Sequence, residues 1–249
     1  MKNQKEEKIG FAFIHGAGFT GEIWSSAAAD LEHPYLFVEY PLREKEASSR
    51  KDLHLADYVS YMADQLKEWK VDSFILVAHS LGGVPALRIA AEFPGRIAGF
   101  AAVGAAIPKN GGSFLSVLPF HKRIVMSAVL KKWGTKPPDS AIRSGLCNDL
   151  PENKTEEIVK GFIPEAVHVY TEKSHASIPE VPRLYINLTK DREFNSSMQK
   201  KMIAHFSPDS VQQLETGHLP MLSDPEGLRR ILLSFLKNIN TAGVKMKRS

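Results

Sequence analysis

Cysteine is nearly absent from this chain. Cys147 is the single one among 249 residues, so no intrachain disulfide can form. That scarcity fits a reducing compartment. Long apolar runs are missing as well, and none approaches the roughly 18 residues of a membrane span. The opening stretch, MKNQKEEKIG, is rich in lysine and glutamate and holds no apolar segment of signal-peptide length. These absences together predict a cytoplasmic protein with no stable membrane association. Charge is close to balanced, with 32 Lys+Arg against 28 Asp+Glu, and part of the excess gathers at the ends in Lys2, Lys5, Lys8, Lys245, Lys247 and Arg248. So mild a balance gives no reason to expect a nucleic-acid partner. The spacings His-x-x-x-His and Cys-x-x-Cys are both lacking, so no metal site is expected from spacing. Nothing in the pattern sets an oligomeric state.

What is present is an ordinary globular composition, 43% hydrophobic and 24% charged, in a length suited to one large α/β domain. Apolar runs of strand length alternate with segments of helical period. IGFAFI (9–14), YLFVEY (35–40), SFILVA (73–78), GFAAVGAAI (99–107), RLYINLT (183–189) and VQQLET (211–216) read as six strands. After the first comes a helix with Trp24, Ala28 and Leu31 on one face. Leu55, Val59, Met62, Leu66 and Trp69, spaced four, three, four and three apart, make one apolar stripe on a second helix. LGGVPALRIAAEF reads as a third helix, stopped by Pro94-Gly95. Asp224 and Pro225 start a last one with Leu228, Ile231, Leu232 and Phe235 on its face. Near-continuously apolar strands between helices imply a mostly parallel sheet covered on both faces. Residues 109–181 break the rhythm with Gly111-Gly112, Pro137-Pro138 and two helix-like pieces near 114–133 and 155–171, the second split by Pro164. This span reads as a helical insertion over the sheet within a single domain, 1–249.

Two glycine-rich turns follow strands. HGAGFTG (15–21) places Gly16, Gly18 and Gly21 as G-x-G-x-x-G, and Glu39 sits where a ribose-binding acid would be, so a dinucleotide loop is one reading. Against it, the chain lacks a Tyr-x-x-x-Lys pair. The second turn, AHSLGG (78–83), carries Ser80 between a strand and a helix in a G-x-S-x-G pattern with Ala78 in the first place. Small residues two before and two after the serine let the chain bend sharply and lift the hydroxyl clear of the sheet, with Gly83 adding slack. A serine hydroxyl needs a base, and a base needs an orienting carboxylate. His218 directly follows the last strand and Asp191 the one before it, so Ser80, Asp191 and His218 share one edge of the sheet. Glu193 and Asp209 lie nearby as other carboxylates, and AAIPKNGG offers none.

His15-Gly16-Ala17 with Trp24, Ala78-His79-Ser80-Leu81-Gly82-Gly83, Lys190-Asp191-Arg192 and Gly217-His218 resemble the α/β-hydrolases, in particular the compact branch of esterases, methylesterases and hydroxynitrile lyases. The resemblance covers roughly residues 9–237, with only the insertion lacking motifs. It implies the α/β-hydrolase fold, a serine hydrolase acting on a small-molecule ester, no cofactor, and Ser80, Asp191 and His218 as the catalytic triad. It also implies that the loop after the first strand binds no phosphate. Its Ala17 N–H, with that of Leu81, forms an oxyanion hole instead. Gly18 and Phe19, with Phe114 and Leu118 from the insertion's apolar stretch, are the expected substrate contacts, although closing the insertion onto the sheet would equally account for Phe114 and Leu118. His15 and His79 are expected to be structural, Trp24 to pack in the core, and Cys147 to be no nucleophile. Two other classes stay open on the same fold: a lyase on cyanohydrins, which a pocket lysine such as Lys190 would favour, and a receptor that binds without turnover.

Overall fold

The structure, a computed structural model, describes residues 9–246. Lys2, Lys5, Lys8, Lys247 and Arg248 lie outside them. Six strands form one sheet: β1 Gly10–Ile14, β2 Tyr35–Val38, β3 Phe74–His79, β4 Ile97–Val103, β5 Arg183–Leu188 and β6 Ser210–Leu214. Their order across the sheet is β2-β1-β3-β4-β5-β6, and every neighbouring pair is parallel. The order reverses between β1 and β3. Open parallel sheets bind ligands at such a reversal, beyond the carboxyl ends of the strands.

Alternation along each strand builds two cores. Ala12, Ile14, Leu76, Ala78, Phe100, Ala102 and Tyr185 face one side. Three helices cover that side: α1 Leu55–Glu68, α2 Gly83–Glu92 and, later in the chain, Ser196–Phe206. Phe11, Phe13, Ile75, Val77, Ala101, Val103, Leu184 and Ile186 face the other, against Trp24, Ala27 and the long C-terminal helix Pro225–Met246. Leu55, Val59, Met62 and Leu66 are all buried, as their period requires. The C-terminal helix starts as expected: Asp224 Oδ1 accepts the Gly227 N–H at 2.9 Å, and Pro225 needs no donor of its own.

The structure corrects two local readings and adds one element. The segment after β1 is short: one 3-10 turn, Gly21–Trp24, and one helical turn, Ser25–Ala28. Ala29, with ψ of 139°, ends it, and Leu31 packs on the same core from beyond the helix. Within the insertion, the piece near 114–133 is two helices, α3 Phe114–Val117 and α4 Phe120–Trp133, because Pro119 takes an extended conformation between them. Two further helices, α5 Glu152–Gly161 and α6 Val167–Thr171, flank Pro164, while an unpredicted turn of π-helix spans Ile142–Leu146. The remaining long helix, Ser196–Phe206, becomes α7 and the C-terminal one α8.

Candidate active site

The turn after β3 is shaped by close contact. Ser80 has a φ of 50°, the left-handed region that a side chain rarely adopts. Holding a non-glycine residue there costs on the order of 1–3 kcal/mol, which the surrounding packing must supply. A Cβ on Gly82 would stand 2.6 Å from the His15 carbonyl oxygen, so only glycine lets this turn sit against the end of β1. Gly83 is not slack, contrary to the sequence reading: its Cβ would stand 2.4 Å from the Ala106 oxygen. On the facing loop, a Cβ on Gly16 would meet Ser80 Cβ and His79 Nδ1, each at 2.9 Å. Gly16 and Gly82 therefore press the loops after β1 and β3 together at the sheet's reversal point, and Gly83 brings the turn against the loop after β4.

The strain places the Ser80 hydroxyl 2.9 Å from His218 Nε2, and His218 Nδ1 lies 2.8 Å from Asp191 Oδ2. The other oxygen of Asp191 accepts two backbone N–H groups, from Glu193 at 2.8 Å and Phe194 at 2.9 Å. That leaves Oδ2 aimed at the imidazole. All three side chains are buried, Ser80 the least at 8% exposed. Burial works against a charged His218, but the charge and hydrogen bond of Asp191 outweigh it and lift the imidazole pKa above its usual value. A hydroxyl bonded to one ring nitrogen, with a carboxylate on the other, is chemically equipped to lose its proton. Neither Glu193 nor Asp209 takes the Asp191 position; the side chain of Asp209 instead accepts the Arg183 N–H at 2.7 Å.

His15 and His79 brace this arrangement. His79 Nε2 lies 2.8 Å from the His218 carbonyl oxygen, and burial first, then the neighbouring His218, holds the His79 pKa well below the usual imidazole value. A neutral ring thus donates to the backbone of the next histidine. His15 Nδ1 lies 2.7 Å from the Gly16 oxygen, while its carbonyl accepts Tyr40 Oη at 2.6 Å. Trp24 is fully buried against Phe13, ring centroids 5.1 Å apart. Glu39 belongs to the scaffold: its Oε1 accepts the Gly21 N–H at 2.5 Å, which occupies the third glycine of the dinucleotide-like pattern.

A cavity of about 100 Å³ lies over Ser80. Ala17, Phe19, Leu81 and Phe114 line it, with Met126, Leu130, Phe162 and Tyr170 from the insertion and Phe194 beside His218. Among the described residues, the Ala17 N–H has no backbone or side-chain acceptor in the protein. Gly18 and Leu118 are not part of the lining. The Gly18 N–H is bonded to Glu165 Oε1 at 3.2 Å, and the Phe162 ring lies over its Cα. Leu118 packs on the core beneath α3.

The family model for the "Alpha/beta hydrolase family" matches residues 11–231. The chain belongs to the alpha/beta hydrolase family. Among curated relatives of this alpha/beta hydrolase, "Putative methylesterase 13, chloroplastic" from Arabidopsis thaliana is 26% identical over 93% of the chain. The chain spans only 57% of that relative's length. Methylesterase 7 from the same plant is 25% identical, with 93% of this chain and 96% of the relative covered. A solved extracellular alpha/beta-hydrolase from a Paenibacillus species superposes with a TM-score of 0.83 at 20% identity, covering 91% of this chain and 98% of that one. The likeness to that structure is one of fold.

The sequence reading missed a buried polar cluster in this hydrolase. Glu165, whose side chain is fully buried, accepts Arg43 Nη2 at 2.6 Å, Tyr58 Oη at 3.0 Å and the Gly18 N–H. Thr135 Oγ1 donates to the Glu165 carbonyl at 2.6 Å. The Ile163 N–H bonds the Gly18 oxygen at 3.0 Å, so the insertion is tied to the loop after β1 by both backbone and side chain. Glu165 lies 122 residues from Arg43, a separation that no local pattern signals. Lys190, the residue that a lyase reading would need in the cavity, is exposed and sits 3.6 Å from Glu215. Cys147 is buried, and its thiol is pushed up to about 11, mainly by desolvation.

Proposed function

We propose that this alpha/beta hydrolase is a serine esterase that cleaves a carboxylic ester, or a related acyl bond, of a small molecule. The observation that carries the proposal is the buried Ser80–His218–Asp191 relay at the floor of an apolar cavity. The methylesterase names of the curated relatives support ester chemistry. His218 takes the Ser80 proton as the oxygen attacks the carbonyl, and Asp191 fixes the tautomer and stabilises the imidazolium. The Ala17 and Leu81 N–H groups bind the oxyanion. One such donor is typically worth about 2.7–4 kcal/mol in the transition state. His218 then protonates the leaving group, and water repeats the steps on the acyl-enzyme.

Residues 109–181 act as the cap that gives the cavity its apolar roof. The cavity is small beside the roughly 300–1,000 Å³ of drug-sized ligand sites, which favours a short acyl group. A panel of activated esters of rising acyl length, run beside fluorophosphonate labelling with peptide mapping, tests both parts. Label on Ser80 and rates that fall with chain length are expected. Ser80→Ala should abolish turnover and leave the chain folded. Full activity in that variant, or label elsewhere, overturns the proposal.

A further inference from the structure

Two histidines and a glutamate far apart in sequence meet on the outer surface where the insertion touches α1. His54 precedes α1, while His168 lies on α6 with Glu172 four residues later. His54 Nδ1 is 2.5 Å from Glu172 Oε1, and His168 Nδ1 is 3.5 Å from the same oxygen. The two imidazoles stack, with centroids 4.3 Å apart at 24°. One ligand atom from each residue lies within 4.8 Å of the others.

We infer that His54, His168 and Glu172 form a surface site for a divalent transition metal of the zinc class. Two ring nitrogens converge on one carboxylate oxygen, and a single cation can bind all three ligand atoms. Tetrahedral zinc with bonds of roughly 2.0–2.1 Å sets its ligands about 3.3 Å apart. The His168–Glu172 separation is already near that value. The His54–Glu172 contact opens by less than 1 Å from 2.5 Å, and these side chains, 57%, 42% and 30% exposed, have the freedom to adjust. Glu172 is oriented for the role, because its second oxygen accepts the Leu55 N–H at 2.9 Å. Imidazole with carboxylate is a donor set for Zn²⁺, Ni²⁺ or Cu²⁺ rather than Mg²⁺ or Ca²⁺. Water would complete the coordination. The ion would clamp α6 to the start of α1, and α6 carries Tyr170 of the cavity roof. Spacing along the chain misses the set because His54 and Glu172 are 118 residues apart. The site stands independently of how Ser80 is read.

The test uses the full chain, free of any polyhistidine tag and stripped with chelator. ZnCl₂ is titrated by calorimetry and thermal melting, and CoCl₂ by visible absorption. One equivalent of Zn²⁺ should bind, a tetrahedral Co²⁺ band should appear, and Tm should rise by roughly 5–10 °C at a hundredfold excess over Kd. His168→Ala and Glu172→Gln should each weaken Zn²⁺ binding at least tenfold while leaving metal-free ester turnover and circular dichroism unchanged. Absence of stoichiometric binding, or equal affinity in both variants and the parent, overturns the site. His54→Ala provides a further variant should one of the first two fail to fold.

Discussion

Replacing Glu165 by alanine should destabilise this hydrolase more than any surface change, and the size of the effect follows from the geometry. The Glu165 side chain is fully buried and Arg43 is 7% exposed, so the pair exchanges almost nothing with solvent. Without the carboxylate, the guanidinium keeps its charge in a site with no other anion bonded to it among the described residues. Breaking a buried pair from one side costs about 3–5 kcal/mol. For a chain of this length, that corresponds to a fall in Tm of roughly 6–20 °C. Glu165→Gln keeps an acceptor for Tyr58 and Gly18 and should lose less. The double change Glu165→Leu with Arg43→Met removes both charges and should recover much of the loss, since apolar replacement of a whole buried pair is often close to neutral. Urea unfolding followed by circular dichroism measures all four chains. Ester turnover adds a second readout, because the Gly18 N–H held by Glu165 adjoins Ala17: kcat should fall in Glu165→Ala even where the chain remains folded. A Glu165→Ala variant within 1 kcal/mol of the parent, or a double variant worse than the single, would refute the reasoning.

Four other outcomes are expected. The acid limb of kcat/KM should have its midpoint above the ordinary imidazole value of about 6.5, since His218 must be neutral to accept a proton and Asp191 raises its pKa. In Asp191→Asn the remaining oxygen stays with the N–H groups of Glu193 and Phe194, the amide donates to His218 Nδ1, and Nε2 then carries a proton; kcat should drop roughly 10⁴-fold with the fold intact. Gly82→Ala should cost about 1–3 kcal/mol in urea unfolding because backbone oxygens crowd its Cβ, whereas Gly161→Ala, with nothing within 4 Å, should be neutral or slightly stabilising. Cys147 should resist iodoacetamide at pH 8 in the folded chain and react after denaturation, as a buried thiol at about 11 requires; rapid labelling of the native chain would contradict that.

The strands were legible because apolar runs bounded by turn residues leave few alternatives, and all six lie within two or three residues of where the pattern put them, except at the end of the fourth. There Gly104, at φ of 47°, turns the chain out of β4 before the apolar run is over. The meeting of Ser80, Asp191 and His218 was legible for a topological reason: in a parallel sheet every loop after a strand emerges at the same edge. The insertion was not legible in detail. Its helices are short, and α4 has Phe120, Ile124 and Val125 exposed, so apolar period says little about which face is buried. The Glu165 cluster and the His54–His168–Glu172 group escaped for a common reason. Each joins residues more than a hundred positions apart through tertiary contact alone.

The tie between Ile163, Glu165 and Gly18 has a consequence for how a molecule reaches the serine. At that corner the roof and the loop after β1 hang from the same peg, so swinging the roof upward there would drag that loop with it. Access is thus left to the rest of the rim, where Met126 of α4 lines the cavity and reaches solvent. This hydrolase should admit its guest through a side door, with the corner near Gly18 kept shut throughout the cycle.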